Sequence, residues 1–381
     1  MIWRSLRPYA SVAIVWLAVT GCAYSQGEDG NNRIKGAASG WRTNTEKRSI
    51  ELSELMSGGP AKDGIPAIDD PRFATVADAQ KWLKPNEPVI SLKIENEARA
   101  YPLQILIWHE IVNDRVGKNP VLVTFCPLCY TAIVFDRRLD GKEHSFGVSG
   151  MLRHSDMVMY DRETESWWQQ ITGEAIVGDL TGKTLKQFPT QIISFEQFAD
   201  AHPTGKVLSR ETGHVRDYGR NPYVGYDDID DVPFLFKGAT DKRLRPMEKV
   251  VVVDLGSKAK AYPHSITKER RVVYDRIGST EIVIFHSDGA SSALDQARIS
   301  ESKNVGSTGV FEPMVGGQKL TFSYDKGQFV DQQTGSRWNI LGKAISGKLK
   351  GSELKQLRHG DYFAFAWLVF KPETEIFFEP K

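Results

Sequence analysis

Short apolar runs, separated by clusters of Gly, Pro, Asn and Asp, set the pattern of this chain. Val89–Ile94, Val121–Phe125, Val250–Leu255 and Glu281–Phe285 read as buried strands. Asp140-Gly141 lies between Ala132–Phe135 and Ser145–Val148, and Gly316-Gly317 lies between Met314-Val315 and Leu320–Tyr324. Both are hairpin signals. Val158–Tyr160 and Ser166–Trp168 flank a third turn. Helical spacing is confined to Thr75–Leu83, Leu103–Val112 and Phe195–Ala201. The expected class is α+β, predominantly antiparallel β, with few short helices.

The pattern repeats. Ala98-Arg99-Ala100-Tyr101-Pro102 matches Ala259-Lys260-Ala261-Tyr262-Pro263. Trp168 then aligns with Trp338, and Ala175–Gly178 with Ala344–Gly347. Order is kept and the offset drifts by a loop's length. This spacing points to an internal duplication that builds two similar lobes. A first lobe is expected over residues 61–230 and a second, degenerate one over 231–381. The boundary falls where Asp, Pro, Gly and Lys cluster, near residues 225–245. Trp167, Trp168 and Trp338, recurring at matched positions, are expected in the core.

Composition narrows the class. The 381 residues are 40% hydrophobic and 25% charged, which excludes disordered and fibrous chains. With 49 basic against 48 acidic residues the net charge is +1, so no global field recruits nucleic acid. Three cysteines are too few for a disulfide scaffold.

The N-terminus supplies an address. Arg4 and Arg7 precede an apolar run, Tyr9–Val19, too short to span a bilayer. Leu17-Ala18-Val19-Thr20-Gly21-Cys22 resembles a bacterial lipobox, which implies a signal peptide over residues 1–21 and lipidation at Cys22. The expected location is exported and lipid-anchored. Ala23 favours the outer membrane, facing the periplasm of a Gram-negative bacterium. Residues 22–60 are polar and Gly-rich, and read as a flexible tether with a short docked helical piece around Ile50–Met56.

Chemistry concentrates at Cys126-Pro127-Leu128-Cys129, directly after a buried-strand signal. Two thiols three apart can close a disulfide or share a metal. Tyr130 excludes a haem-attachment motif, and the absence of a second pair excludes a four-cysteine zinc site. The following Tyr130–Phe135 reads as strand, so the long helix of a thioredoxin-like site is not expected. Upstream, His109 and Glu110 are candidate proton relays, and His109 a candidate metal ligand. His286 aligns with Cys126 in the second repeat and is a candidate ligand across the lobes. Ser149, Arg153, His154, Ser155 and Asp161-Arg162 could line a pocket beside the cysteines.

These motifs carry a resemblance. Ala98–Pro102, Trp108–Asp114, Thr124–Cys129, Val134–Arg137, Phe146–Gly150, Tyr160–Arg162 and Ser166–Trp168 resemble the bacterial domain of unknown function family 3179. Some relatives carry selenocysteine at the thiol motif, so the resemblance implies redox chemistry at Cys126 and Cys129. The leading expectation is a thiol-disulfide redox centre with an unknown periplasmic redox partner. The alternatives are copper or zinc binding and delivery by the same cysteines plus a histidine, and a non-catalytic two-lobed binding lipoprotein.

Overall fold

The computed structural model describes residues 40–378. The signal peptide, Cys22 and the first part of the expected tether lie outside the described residues. Five α-helices of four to seven residues occur among the described residues, against eight sheets. Pairing is antiparallel except where Lys206–Leu208 meets Glu97–Pro102 and where Ala259–Pro263 meets Glu375–Ile376. The fold is thus α+β and mostly antiparallel. No described helix is long and apolar enough to cross a membrane.

Helix ends explain where the sequence pattern overreaches. Val76–Ala79 is a single turn capped by Thr75, shorter than the expected Thr75–Leu83. Phe195–Ala201 is a helix as expected, with Ser194 and Gln197 forming a capping box. Leu103–His109 stops short of Val112 because Glu110 adopts φ 59°, and Ile111–Val116 continues as a strand against Asn119–Cys126. β-Branched Ile111 and Val112 fit that pleat better than a helix. The two glycine turns close smaller hairpins than expected. Asp140-Gly141 joins Arg138–Leu139 to Lys142–Glu143, and Gly316-Gly317 joins Met314–Val315 to Gln318–Lys319.

The same element order occurs twice. In the first half, Pro88–Ile94 pairs with Glu97–Pro102, a helix follows, and a sheet of Ile111–Val116, Asn119–Cys126, Thr131–Asp136 and Gln187–Phe188 comes next. In the second, Lys249–Asp254 pairs with Ala259–Pro263. The helix His264–Arg270 precedes a sheet of Val272–Ile277, Thr280–Ser287, Ser307–Glu312 and Lys355–Gln356. Matched side chains make matched bonds. Tyr101 donates to Asp114 at 2.6 Å and Tyr262 to Asp275 at 2.8 Å. Trp168 Nε1 donates to Asp161 at 3.0 Å and Trp338 Nε1 to Asp331 at 2.9 Å. All three repeat tryptophans are fully buried.

The two halves share a core. Val250, Tyr362 and Phe363 pack in one apolar cluster with Phe125, Cys126 and Trp168. Gln191 Nε2 donates across to the Thr308 and Ile340 carbonyls. Residues 41–57, assigned from composition to the tether, are docked. Trp41 sits edge-on to Tyr160 and Trp167, and Leu55–Ser57 adds an edge strand to Phe146–Arg153. The expected helical piece is only the 3₁₀ turn Leu52–Glu54. Burial of Leu55 and the ring contacts of Trp41 supply the apolar contact that composition alone undercounts.

Candidate functional site

Cys126 is the last residue of the Asn119–Cys126 strand, whose run of buried side chains leads the chain into the core. Pro127 then starts a 3₁₀ turn, Pro127–Cys129, with its φ already suited to a helical first position. Tyr130 closes the turn in the left-handed region, φ 53°, and donates its N–H to the Pro127 carbonyl at 3.2 Å. A bulky residue adopts that conformation only when held. Here the ring is fixed between Phe125 and Phe363, with Lys249 Nζ 3.8 Å above its face. One tight turn presents no helix N-terminus, so no macrodipole stabilises a thiolate.

Both thiols are free and buried: Cys126 is 2% exposed and Cys129 fully enclosed. Facing them is Asp156, a residue that no motif marks. It enters from the hairpin of Phe146–Arg153 and Asp156–Asp161, whose register pairs Arg153 with Asp156. Cys126 Sγ, Cys129 Sγ and one Asp156 carboxylate oxygen lie within 4.8 Å of one another. Asp156 Oδ2 accepts from Gln169 Nε2 at 2.5 Å and from the Ile171 N–H at 3.0 Å. Its Oδ1 is buried without a hydrogen-bond partner. Cys126 Sγ donates weakly to the Ser155 carbonyl at 3.8 Å, so Ser155 of the expected pocket-lining stretch does reach the cysteines.

The electrostatics disfavour charge on sulfur. Burial pushes both thiols above the ordinary cysteine range, Cys129 by the greater amount, and the carboxylate of Asp156 adds to it. Burial raises Asp156 to about 6. Burial, then the charge of Asp156, raises Glu110 to about 8. Two thiols and two carboxyl groups therefore share a dry region.

The remaining predicted residues divide. Glu110 is 8% exposed and its charge acts on Cys126, so it belongs to the site's surroundings. His109 does not join the thiols: Nδ1 meets the Pro66 carbonyl at 2.8 Å and Nε2 the Tyr218 hydroxyl at 2.7 Å. Burial holds its pKa down at about 4. The switch from helix to strand at Glu110 sends these neighbouring side chains to different surroundings. His286 does not take the place of Cys126: its N–H donates to the Arg271 carbonyl as that of Phe125 does to Glu110, so it matches Phe125, and Ser287 matches Cys126. His286 is bonded through Nδ1 to Thr267 Oγ1 at 3.0 Å and set edge-on to His264. Neither histidine is in the cluster with the cysteines. The signal that could have found Asp156 is weak: an acid opening a wholly buried apolar strand, just after a two-residue turn.

The fold and this cluster define a mostly antiparallel α+β protein with a buried dithiol–carboxylate cluster in its first half. The chain belongs to the family described as a protein of unknown function (DUF3179), whose model matches residues 62–374. No curated protein and no solved structure matches it.

Proposed function

We propose that the first lobe binds a soft metal ion, copper(I) or zinc, through Cys126, Cys129 and Asp156. The observation that carries this is the convergence of two free, buried sulfurs and an Asp156 carboxylate oxygen within 4.8 Å of one another, in a carboxylate whose Oδ1 is buried and makes no conventional hydrogen bond. A carboxylate oxygen stranded in a dry site is costly unless a cation or donor meets it. Two sulfurs bound tetrahedrally at about 2.3 Å stand about 3.8 Å apart, a spacing compatible with the cluster. Thiolates select soft metals, and Gln169 with the Ile171 N–H orients the carboxylate, as outer partners of ligands do. The histidine ligand expected from the sequence is replaced in this reading by Asp156.

The test is the metal content of the full chain purified without chelator or reductant. One copper or zinc per chain is expected, lost in Cys126→Ser/Cys129→Ser and diminished in Asp156→Asn. A metal-free chain with a Cys126–Cys129 disulfide would instead support the second reading, a thiol-disulfide redox centre. That reading is favoured by two free sulfurs already near each other, with Asp156 as proton acceptor. In it Cys126 attacks and Cys129 resolves.

The lobes are read as products of one duplication, the second having lost the thiols. The address is read from residues 4–22 as that of a lipoprotein anchored through Cys22, facing the periplasm. A partner that supplies or receives the metal fits that location.

A further inference from the structure

No strand or helix occurs between Lys206–Leu208 and Lys249–Asp254, and this stretch crosses the thiol turn. It is pinned at two places. Buried Asp227 meets Lys303 at 2.9 Å, Lys249 at 3.4 Å and Ser292. Arg243 donates to the Pro372 and Thr374 carbonyls, each at 2.8 Å. Between the pins, residues 228–240 are held by the Asp230–Arg245 pair at 2.9 Å, by Leu235 and Phe236 packed on the core, and by single hydrogen bonds. Phe234 N–H donates to the Tyr226 hydroxyl at 3.3 Å, and that hydroxyl donates to the Leu128 carbonyl inside the thiol turn at 3.1 Å. Ser155 Oγ donates to the Phe234 carbonyl, and His154 Nδ1–H to the Lys237 carbonyl. Phe236 packs on Phe365 and on the His154 ring. The segment's exposed side chains mix charged and apolar groups, with Asp228, Asp230 and Asp231 beside Val232 at 76% and Phe234 at 48% exposure.

The latching residues are themselves unusual. His154 and Ser155 are the two central residues of the hairpin turn, with φ 52° and 67°. Such a turn ordinarily takes Asn-Gly or Asp-Gly, because both positions are left-handed. The matching turn of the second lobe, between Asp325 and Gln328, is Lys326-Gly327 at φ 49° and 82°. The first lobe thus accepts two side chains where glycine is cheaper, and both reach the crossing segment. A strained position held by its surroundings points to a role.

We propose that residues 228–240 are a lid over the Cys126–Cys129 turn, latched by His154 and Ser155. Opening breaks a few single hydrogen bonds, each modest net because water replaces the lost partner, and lifts Leu235 and Phe236 from the core. It releases the Ser155 hydroxyl and uncovers the turn whose Ser155 carbonyl accepts from Cys126 Sγ. The inference rests on the reading that the thiols meet something from solvent, and a thiol reagent tests it apart from metal binding.

The experiment uses the full chain with Cys22→Ser, reduced and freed of metal by a chelator, reacting with 5,5′-dithiobis(2-nitrobenzoate). His154→Asn/Ser155→Gly installs the preferred turn and removes both latches. It is expected to react at least tenfold faster while its unfolding midpoint is unchanged or higher. Phe236→Ala, which leaves the hairpin intact, is expected to accelerate the reaction too. Unchanged rates in both variants, or acceleration that only tracks lost global stability, would overturn the lid.

Discussion

The two lobes keep one frame and differ in the turns hung on it. Cys126 and Ser287 occupy matching strand ends, His286 matches Phe125, and Glu110 and Arg271 are matching helix caps at φ 59° and 65°. Where the first lobe buries a carboxyl beside thiols, the second turns Arg271 toward Asp288 at 3.0 Å, an ordinary partly exposed pair. The hairpin that delivers Asp156 spans Phe146–Asp161, whereas its counterpart, Phe322–Asp331, is too short to carry an equivalent acid. The thiol–carboxylate cluster of the first half therefore comes from a four-residue turn and a hairpin extension, not from the sheets that both halves have.

Breaking the shared frame has the largest expected effect. Trp168→Ala and Trp338→Ala each delete a fully buried indole hydrogen-bonded to an aspartate. Each is expected to cost about 3–5 kcal/mol in denaturant unfolding. A loss confined to one of them would break the equivalence. The thiols come next. Cys126→Ser/Cys129→Ser is expected to lower the unfolding free energy relative to the wild type only when metal is present, by about 4 kcal/mol at free metal near a thousandfold excess over Kd. Ser287→Cys, at the position that matches Cys126, is expected by metal content to create no second metal site, because the second half lacks the extended hairpin.

Acid sharpens the comparison from the other side. Burial, then the charge of His264, holds His286 down at about 3. A histidine kept neutral in the fold gives stability that is fully present above its unfolded value of about 6.5 and is lost as pH falls toward 3. In that window His286→Asn is expected to make the pH dependence of unfolding free energy shallower, by up to about 1.4 kcal/mol per pH unit. An unchanged slope would mean the imidazole takes up no proton on unfolding there.

Much of the frame is legible in the sequence because it is local. Alternation and turn residues mark the strands, and Tyr101/Tyr262 and Trp168/Trp338 announce their equivalence by spacing. Cys126 and Cys129 stand out because thiols are rare in this chain. Asp156 does not, since its meeting with the cysteines depends on how two sheets pack. His109 misleads for the opposite reason. It is next to Glu110 in sequence, yet one residue with positive φ separates their destinations. The docking of residues 41–57 is hidden too, because a few apolar side chains spread among polar ones supply it.

That docked segment yields the smallest predicted effect. Glu54 Oε2 meets Arg153 Nη2 at 2.7 Å, Arg153 Nη1 reaches Gln169 Oε1 at 3.4 Å, and Gln169 Nε2 holds Asp156 Oδ2. Leu55–Ser57 meanwhile pairs with Met151–Arg153, the extended part of the hairpin. The second lobe has no such edge strand; its corresponding sheet has four strands where the first has five. The segment thus braces the hairpin that brings Asp156 to the thiols, through a partly exposed ion pair worth at most about 1 kcal/mol and three residues of pairing. A chain begun at residue 61 is expected to fold and to bind metal several-fold more weakly, read by competition with a chelating dye. Glu54→Gln is expected to reproduce part of that loss. Equal affinity in both variants would make the segment a passive cover, and would leave Gln169 and the Ile171 N–H sufficient to aim Asp156 at the thiols.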